Sequence, residues 1–125
     1  MMRYIGGLVA GAPLPEAEPG QLRGQAGSPG KARGPARVIR SLAEAHRLQP
    51  GDILVTTTTA PPWTPLFLTA AAVVTDAGGL LSHGAVVSRE YRIPAVVGAR
   101  DATTRIADGQ MLEVDGDQGI VRFVE

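Results

Sequence analysis

The sequence predicts an α/β domain of three layers, β/β/α, with mixed sheets, and three observations predict it. A strand, a tight loop, a helix and a second strand follow one another across residues 70–98, the order of a parallel unit with its helix on one face. Short apolar runs at residues 36–39 and Ile53–Thr56 have the length and composition of buried strands. The chain closes on two further strands, residues 111–114 and 120–124, joined by Asp115-Gly116-Asp117-Gln118-Gly119 as an antiparallel hairpin.

Taken in order, residues 1–25 read as an N-terminal arm or linker, with proline, glycine and alanine through GAPLPEAEPG. Tyr4-Ile5 and Leu8-Val9 could pair at a sheet edge. Residues 26–125 are then the domain, long enough to bury a core without staples. Gly27 to Gly34 forms a glycine-rich loop; without the terminal Gly-Lys-Ser/Thr of a P-loop it reads as a structural turn rather than a nucleotide cradle. After the strand at 36–39, Ser41 and Glu44 have capping-box spacing for a short helix through Leu48, stopped by Pro50-Gly51. His46 has no acidic or cysteine partner at ligand spacing and is expected at the surface.

Following the strand Ile53–Thr56, the threonines up to Thr59 either line the cleft of His83 or satisfy the strand end. Pro65 fits the first turn of a helix running to about residue 71. Trp63, the sole tryptophan, is expected in core packing before a docking contact.

The stretch TDAGGLLSHGAVVSREYRIPAVVG, residues 75–98, organises the rest. An apolar strand at 70–74 delivers Thr75 and Asp76 to its carboxyl end, and Gly78-Gly79 make the turn. Ser82 is the expected N-cap, so His83 is the first or second helical residue, beside amides that lack a partner inside the helix. Those donors and the positive end of the helix dipole suit an anion, and a phosphoryl group on the imidazole is one. Val86 and Val87 are expected to face the core, with Arg89 and Glu90 near the rim. Pro94 ends the helix at Ile93, and residues 95–97 form a short buried strand closed by Gly98.

These residues resemble the phosphohistidine motif of the phosphoenolpyruvate (PEP)-utilising enzymes, which include pyruvate phosphate dikinase, phosphoenolpyruvate synthase and rifampicin phosphotransferase. The resemblance extends to Ser28-Pro29-Gly30, to Gly51-Asp52-Ile53-Leu54-Val55, to the segment from Thr59 to Pro65, and to Asp108-Gly109-Gln110 and the closing strands. It implies a mobile, swivelling domain whose histidine, here His83, is phosphorylated and shuttles the phosphoryl group between two remote sites. It departs from the dikinases at Leu81, where they carry threonine, so control through a phosphorylatable threonine is not expected. Leu81 and Gly84 together resemble the rifampicin phosphotransferase and synthase-like branches.

In this family Nε2 is the nitrogen that takes the phosphoryl group. Nδ1 would then be fixed by a hydrogen bond that sets the tautomer, with Ser82, Thr75 or a loop carbonyl as its partner. Asp76 is a candidate for orienting the loop or ring and Arg89 for neutralising phosphate charge; equally, the two could form an ion pair. Gly78 and Gly79 let the backbone approach the phosphoryl group, or simply make the turn. The chain has neither an evident nucleotide-binding fold nor a barrel for pyruvate and magnesium. An ATP-grasp domain and a PEP- or pyruvate-type acceptor domain are therefore implied as partners, holding the ATP and Mg2+. No cofactor is expected on this domain alone, and no turnover from it. The competing expectation is a catalytically silent docking or regulatory module that keeps the fold.

Composition narrows the remaining classes. There is no cysteine, which removes disulfides and thiolate metal sites and is compatible with a reducing, cytoplasmic setting. Net charge is zero, with seven basic and three acidic residues up to Pro50, and five basic and nine acidic beyond it. The basic residues are scattered and aromatics are few, so a solvated face is expected and no nucleic-acid partner. No apolar run has the length of a membrane span and no signal-peptide order opens the chain, so no membrane partner is expected. A hydrolase or metalloenzyme is disfavoured: Ser82 adjoins His83 and would align poorly as its nucleophile, and two histidines without cysteine offer few ligands.

Overall fold

The computed structural model describes residues 20–124. Its strands are β1 (Gln21–Arg23), β2 (Gln25–Ser28), β3 (Lys31–Val38), β4 (Ile53–Thr56), β5 (Ala72–Thr75), β6 (Ala95–Val97), β7 (Met111–Asp115) and β8 (Ile120–Phe123). The α-helices are α1 (Thr64–Phe67), α2 (His83–Tyr91) and α3 (Ala102–Arg105). Every residue of β4, β5 and β6 is buried, and successive side chains go to different cores. Ile53, Val55, Ala72, Val74 and Val96 enter one core, while Leu54, Val73 and Ala95 enter the other. A strand buried on both faces needs a layer on each. Leu22, Leu112, Val114 and Val121 of the antiparallel strands close the first core, and Leu66, Phe67 and Val87 of the helices close the second. The result is the expected β/β/α sandwich.

Strand order is β1-β8-β7-β3-β4-β5-β6-β2. The long β3 belongs to both sheets: its first half pairs antiparallel with β7, and Ala36 to Val38 pair parallel with β4. β4, β5 and β6 continue in parallel, and β2 closes that sheet as an antiparallel edge. On the other side β7, β8 and β1 run antiparallel, which includes the predicted terminal hairpin. All parallel strands therefore end on the same side of the molecule, where the loop before α2 lies.

Several expectations change. Gln21–Arg23, assigned to the arm, is β1 and pairs with β8; the paired residues of the arm's first segment, Tyr4-Ile5 and Leu8-Val9, lie outside the described residues. Gly27 to Gly34 is not a loop but two strands around a tight turn at Pro29-Gly30, because β6 and β7 offer it edges to pair with. The capping box at Ser41 and Glu44 is not made. A 3-10 helix, Leu42–Arg47, forms there without a side-chain cap bond, and Glu44 Oε1 instead accepts from Arg47 Nη1 at 3.1 Å. Arg47 is held in turn by the Val38 carbonyl, at 2.9 Å, and by Asp108. The helix expected to reach residue 71 stops at Phe67, since the Ala71 amide is taken by the Asp52 carbonyl at 2.8 Å and the chain is drawn into the sheet. The strand that follows is accordingly shifted to Ala72–Thr75. Trp63 is half-buried against the helix-side core, and His46 is exposed. Among the described residues no helix is long and apolar enough to cross a membrane.

Candidate functional site

α2 starts where its capping signal placed it. Ser82 is extended, its Oγ accepts from the Ala85 amide at 3.4 Å, and His83 is the first helical residue. The same hydroxyl donates to the Gly79 carbonyl at 2.7 Å, so one side chain fastens both the helix and the preceding turn. The far end is closed by Arg92 in the left-handed conformation, with the Ile93 amide reaching the Ser88 carbonyl before Pro94. The buried face is Gly84, Ala85, Val87 and Ser88; Val86, expected inside, is exposed. One residue turns a helix by about 100°, so the face that carries Val87 inward takes Gly84 and Ser88 with it and leaves Val86 outside.

The His83 ring is held from three directions. Thr59 Oγ1 lies 2.9 Å from Nδ1, Thr64 Oγ1 lies 3.4 Å from Nε2, and the Phe67 ring meets the imidazole edge-on at 5.9 Å and 80°. Thr59 comes from the loop after β4, and Thr64 and Phe67 from one turn of α1, three residues apart on one face. Phe67 is fully buried while His83 is half-buried, so the ring rests on the core at the edge of the helix layer. Gly84 makes room for this arrangement: a Cβ there would stand 3.2 Å from Thr59 Oγ1. A hydroxyl can donate to or accept from a ring nitrogen, so the pair of threonines serves either neutral tautomer.

The other predicted site residues build the loop rather than touch the ring. Thr75 Oγ1 donates to the Ala77 carbonyl at 2.8 Å and Ser82 is engaged as described, so neither expected partner of Nδ1 holds it; Thr59 does. Asp76 accepts from the Thr103 amide at 2.8 Å and the Thr103 hydroxyl at 2.6 Å, which fastens the loop to α3 and leaves the ring alone. Arg89 donates to the Gly27 carbonyl and to the Leu80 carbonyl, each at 2.7 Å, clamping the loop and β2 to α2. With those partners, the alternative ion pair between Asp76 and Arg89 is not formed. Gly78 turns the chain with φ of 111°, and the Gly79 carbonyl is the acceptor for Ser82. Leu81 projects into solvent at 90 % exposure. Thr64 and Phe67 went unnoticed in the sequence; the only signal was their spacing of three on a short helix. Among the described residues, no group of three or more His, Cys, Asp or Glu is placed to hold a metal ion.

The family model for the mobile domain of PEP-utilising enzymes matches residues 48–119, more than half of the chain, and includes every residue around the His83 ring. The chain belongs to that family. Among PEP-utilising relatives and other similar proteins, the chain is 57 % identical over 113 residues to a chondramide synthase of Chondromyces crocatus, covering 90 % of this chain and 3 % of that protein. It is 52 % identical over 105 residues to a rifampicin phosphotransferase of Streptomyces sviceus, covering 84 % of this chain and 12 % of that protein. With a phosphoenolpyruvate synthase of Aeropyrum pernix it shares 46 % identity over 109 residues, 86 % of this chain and 13 % of the other. The chain thus spans 3 to 13 % of the length of these curated relatives. Thermococcus kodakaraensis aconitase X has the same fold, with a TM-score of 0.65 at 20 % identity over 84 % of this chain and 98 % of that one.

Proposed function

We propose that this chain is a phosphohistidine carrier, in which His83 takes a phosphoryl group on Nε2 at one partner domain and gives it up at another. The observation that carries the reading is a half-buried imidazole at the head of α2, with Nδ1 held by Thr59 at 2.9 Å and Nε2 left without a close partner. With the proton on Nδ1, its N–H donates to Thr59 Oγ1 and the lone pair is left on Nε2. That lone pair forms the N–P bond as the bond from phosphorus to the donor oxygen breaks, the electrons leaving on that oxygen; at the second site an acceptor oxygen displaces Nε2 in the same manner. The first-turn amides and dipole of α2 favour the anion so formed. Family membership and relatives named as a phosphotransferase and a phosphoenolpyruvate synthase support the chemistry.

The donor site, with ATP and Mg2+, is assigned to an ATP-grasp domain, and the acceptor site to a pyruvate/PEP-type or related domain. The chain alone does not turn over. Incubation with both domains and nucleotide is expected to place acid-labile, base-stable phosphate on the wild type and none on His83→Ala. Stable phosphate on the mutant overturns the proposal. Partner binding that survives His83→Ala, with no phosphate taken from any donor, would make the chain a docking module instead.

A further inference from the structure

We propose that Thr64 is the side chain that meets the transferred phosphoryl group, a role that rests on the carrier reading above. At 3.4 Å its hydroxyl stands off Nε2, beyond the usual range of an O–H···N hydrogen bond, whereas Thr59 is in full contact with Nδ1 at 2.9 Å. The gap is on the nitrogen that must bond to phosphorus. Phosphorus attached there takes up that space, so the Thr64 hydroxyl turns aside from the nitrogen and donates to one of the phosphoryl oxygens. A hydrogen bond to a charged oxygen is stronger than one to a neutral nitrogen, so the exchange of partner favours the phosphorylated ring.

The placement of Thr64 is built, not incidental. Its amide donates to the Pro61 carbonyl, which fixes the start of α1, and Phe67 on the same turn holds the ring edge-on. One short helix therefore sets the distance between hydroxyl and imidazole. Arg89 is positioned by the loop and β2, its Nη1 donating to the Gly27 carbonyl and its Nη2 to the Leu80 carbonyl, whereas the Thr64 hydroxyl is placed at Nε2 itself. Among the described residues Thr64 is the hydrogen-bonding side chain at Nε2. A neutral hydroxyl orients the phosphoryl group without the strong hold of a cation, which suits a group that must leave again.

Potassium phosphoramidate tests this on the chain itself, without partner domains. Nε2 forms the N–P bond, the P–N bond of the reagent breaks, and ammonia leaves with a proton from the medium. Phosphorus-31 NMR follows the rate of phosphorylation, the nitrogen that carries the phosphate and the lifetime of the product. Thr64→Val is expected to slow phosphorylation and shorten the lifetime by about tenfold, the scale of one hydrogen bond to a charged acceptor. Thr64→Ser, which keeps the hydroxyl, is expected to return both to within about twofold of wild type. Thermal melting alongside separates a local loss from a folding defect, and Thr64→Ser carries the test if the valine variant does not fold, since a serine that fails to keep wild-type behaviour also overturns the role. Thr64→Val within about twofold of wild type on rate and lifetime overturns the inference while His83 still carries phosphate. No phosphate on the wild type, or equal phosphate on His83→Ala, overturns the carrier reading and this inference with it.

Discussion

A hydroxyl beside Nδ1 permits two tautomers with opposite chemistry, and only the Nδ1–H form presents a lone pair at Nε2. Thr59 Oγ1 stands where it can accept from that Nδ1–H, and Gly84, without a side chain, leaves the hydroxyl its place. Thr59→Val removes the acceptor while keeping the shape. Nitrogen-15 NMR of His83 is expected to show an Nδ1–H ring in the wild type and a mixture of tautomers in the variant. Phosphorylation is expected to fall by about tenfold, as for the loss of a partner that orients an imidazole. An unchanged tautomer pattern in Thr59→Val would assign the orientation to something else. The place of His83 as the first residue of α2 was legible in the sequence because it depends on a local pattern of cap, glycines and helix start. The ring's partner was legible only in part. The threonines up to Thr59 were expected to line its cleft or satisfy the strand end, but the bond to Nδ1 was assigned to Thr75, Ser82 or a loop carbonyl, because Thr59 reaches the ring across 24 residues of chain.

The loop between β5 and α2 is held as an element in its own right, with Asp76 fastened to α3, Arg89 clamping Leu80, and Ser82 closing the turn. Gly98, at the end of β6, supports it from below. Its φ is 66°, and a Cβ there would lie 2.8 Å from the Gly78 carbonyl oxygen. Gly98→Ala is expected to cost about 1 to 3 kcal/mol through left-handed strain and displacement of that carbonyl. Urea unfolding checks this, as a lower midpoint with an unchanged slope. Elements whose ends are marked by local chemistry were readable: Ser82 and Pro94 bracket α2, and the Asp115 to Gly119 turn gives the hairpin. Elements whose ends depend on distant partners were misread. α1 is cut short when Asp52 takes the Ala71 amide, and β1 exists because β8 lies beside it.

At the scale of the whole molecule, β3 is shared between the two sheets and β4 to β6 between the two cores, so no layer has a core of its own. Unfolding is accordingly expected as one transition. Leu112→Ala removes a fully buried side chain from the outer core and Leu54→Ala one from the helix-side core, each at a cost of roughly 2 to 5 kcal/mol. Each variant is expected to shift Trp63 fluorescence, which reports the helix side, and far-ultraviolet circular dichroism, which reports the sheets, to the same midpoint. Separate midpoints for the two probes would mean that the layers unfold independently. The pairing of β1 with β8 has a mechanical consequence. Gln21 lies opposite Arg122, and the Phe123 amide reaches the Gly20 carbonyl at 3.0 Å, so the leads into and out of these strands run side by side. For the carrier proposed above, attachment at this one place is expected to let the domain turn about it as a single body. His83 stands on the opposite layer, beyond both sheets, so in that carrier a small rotation there is expected to sweep the imidazole through a wide arc.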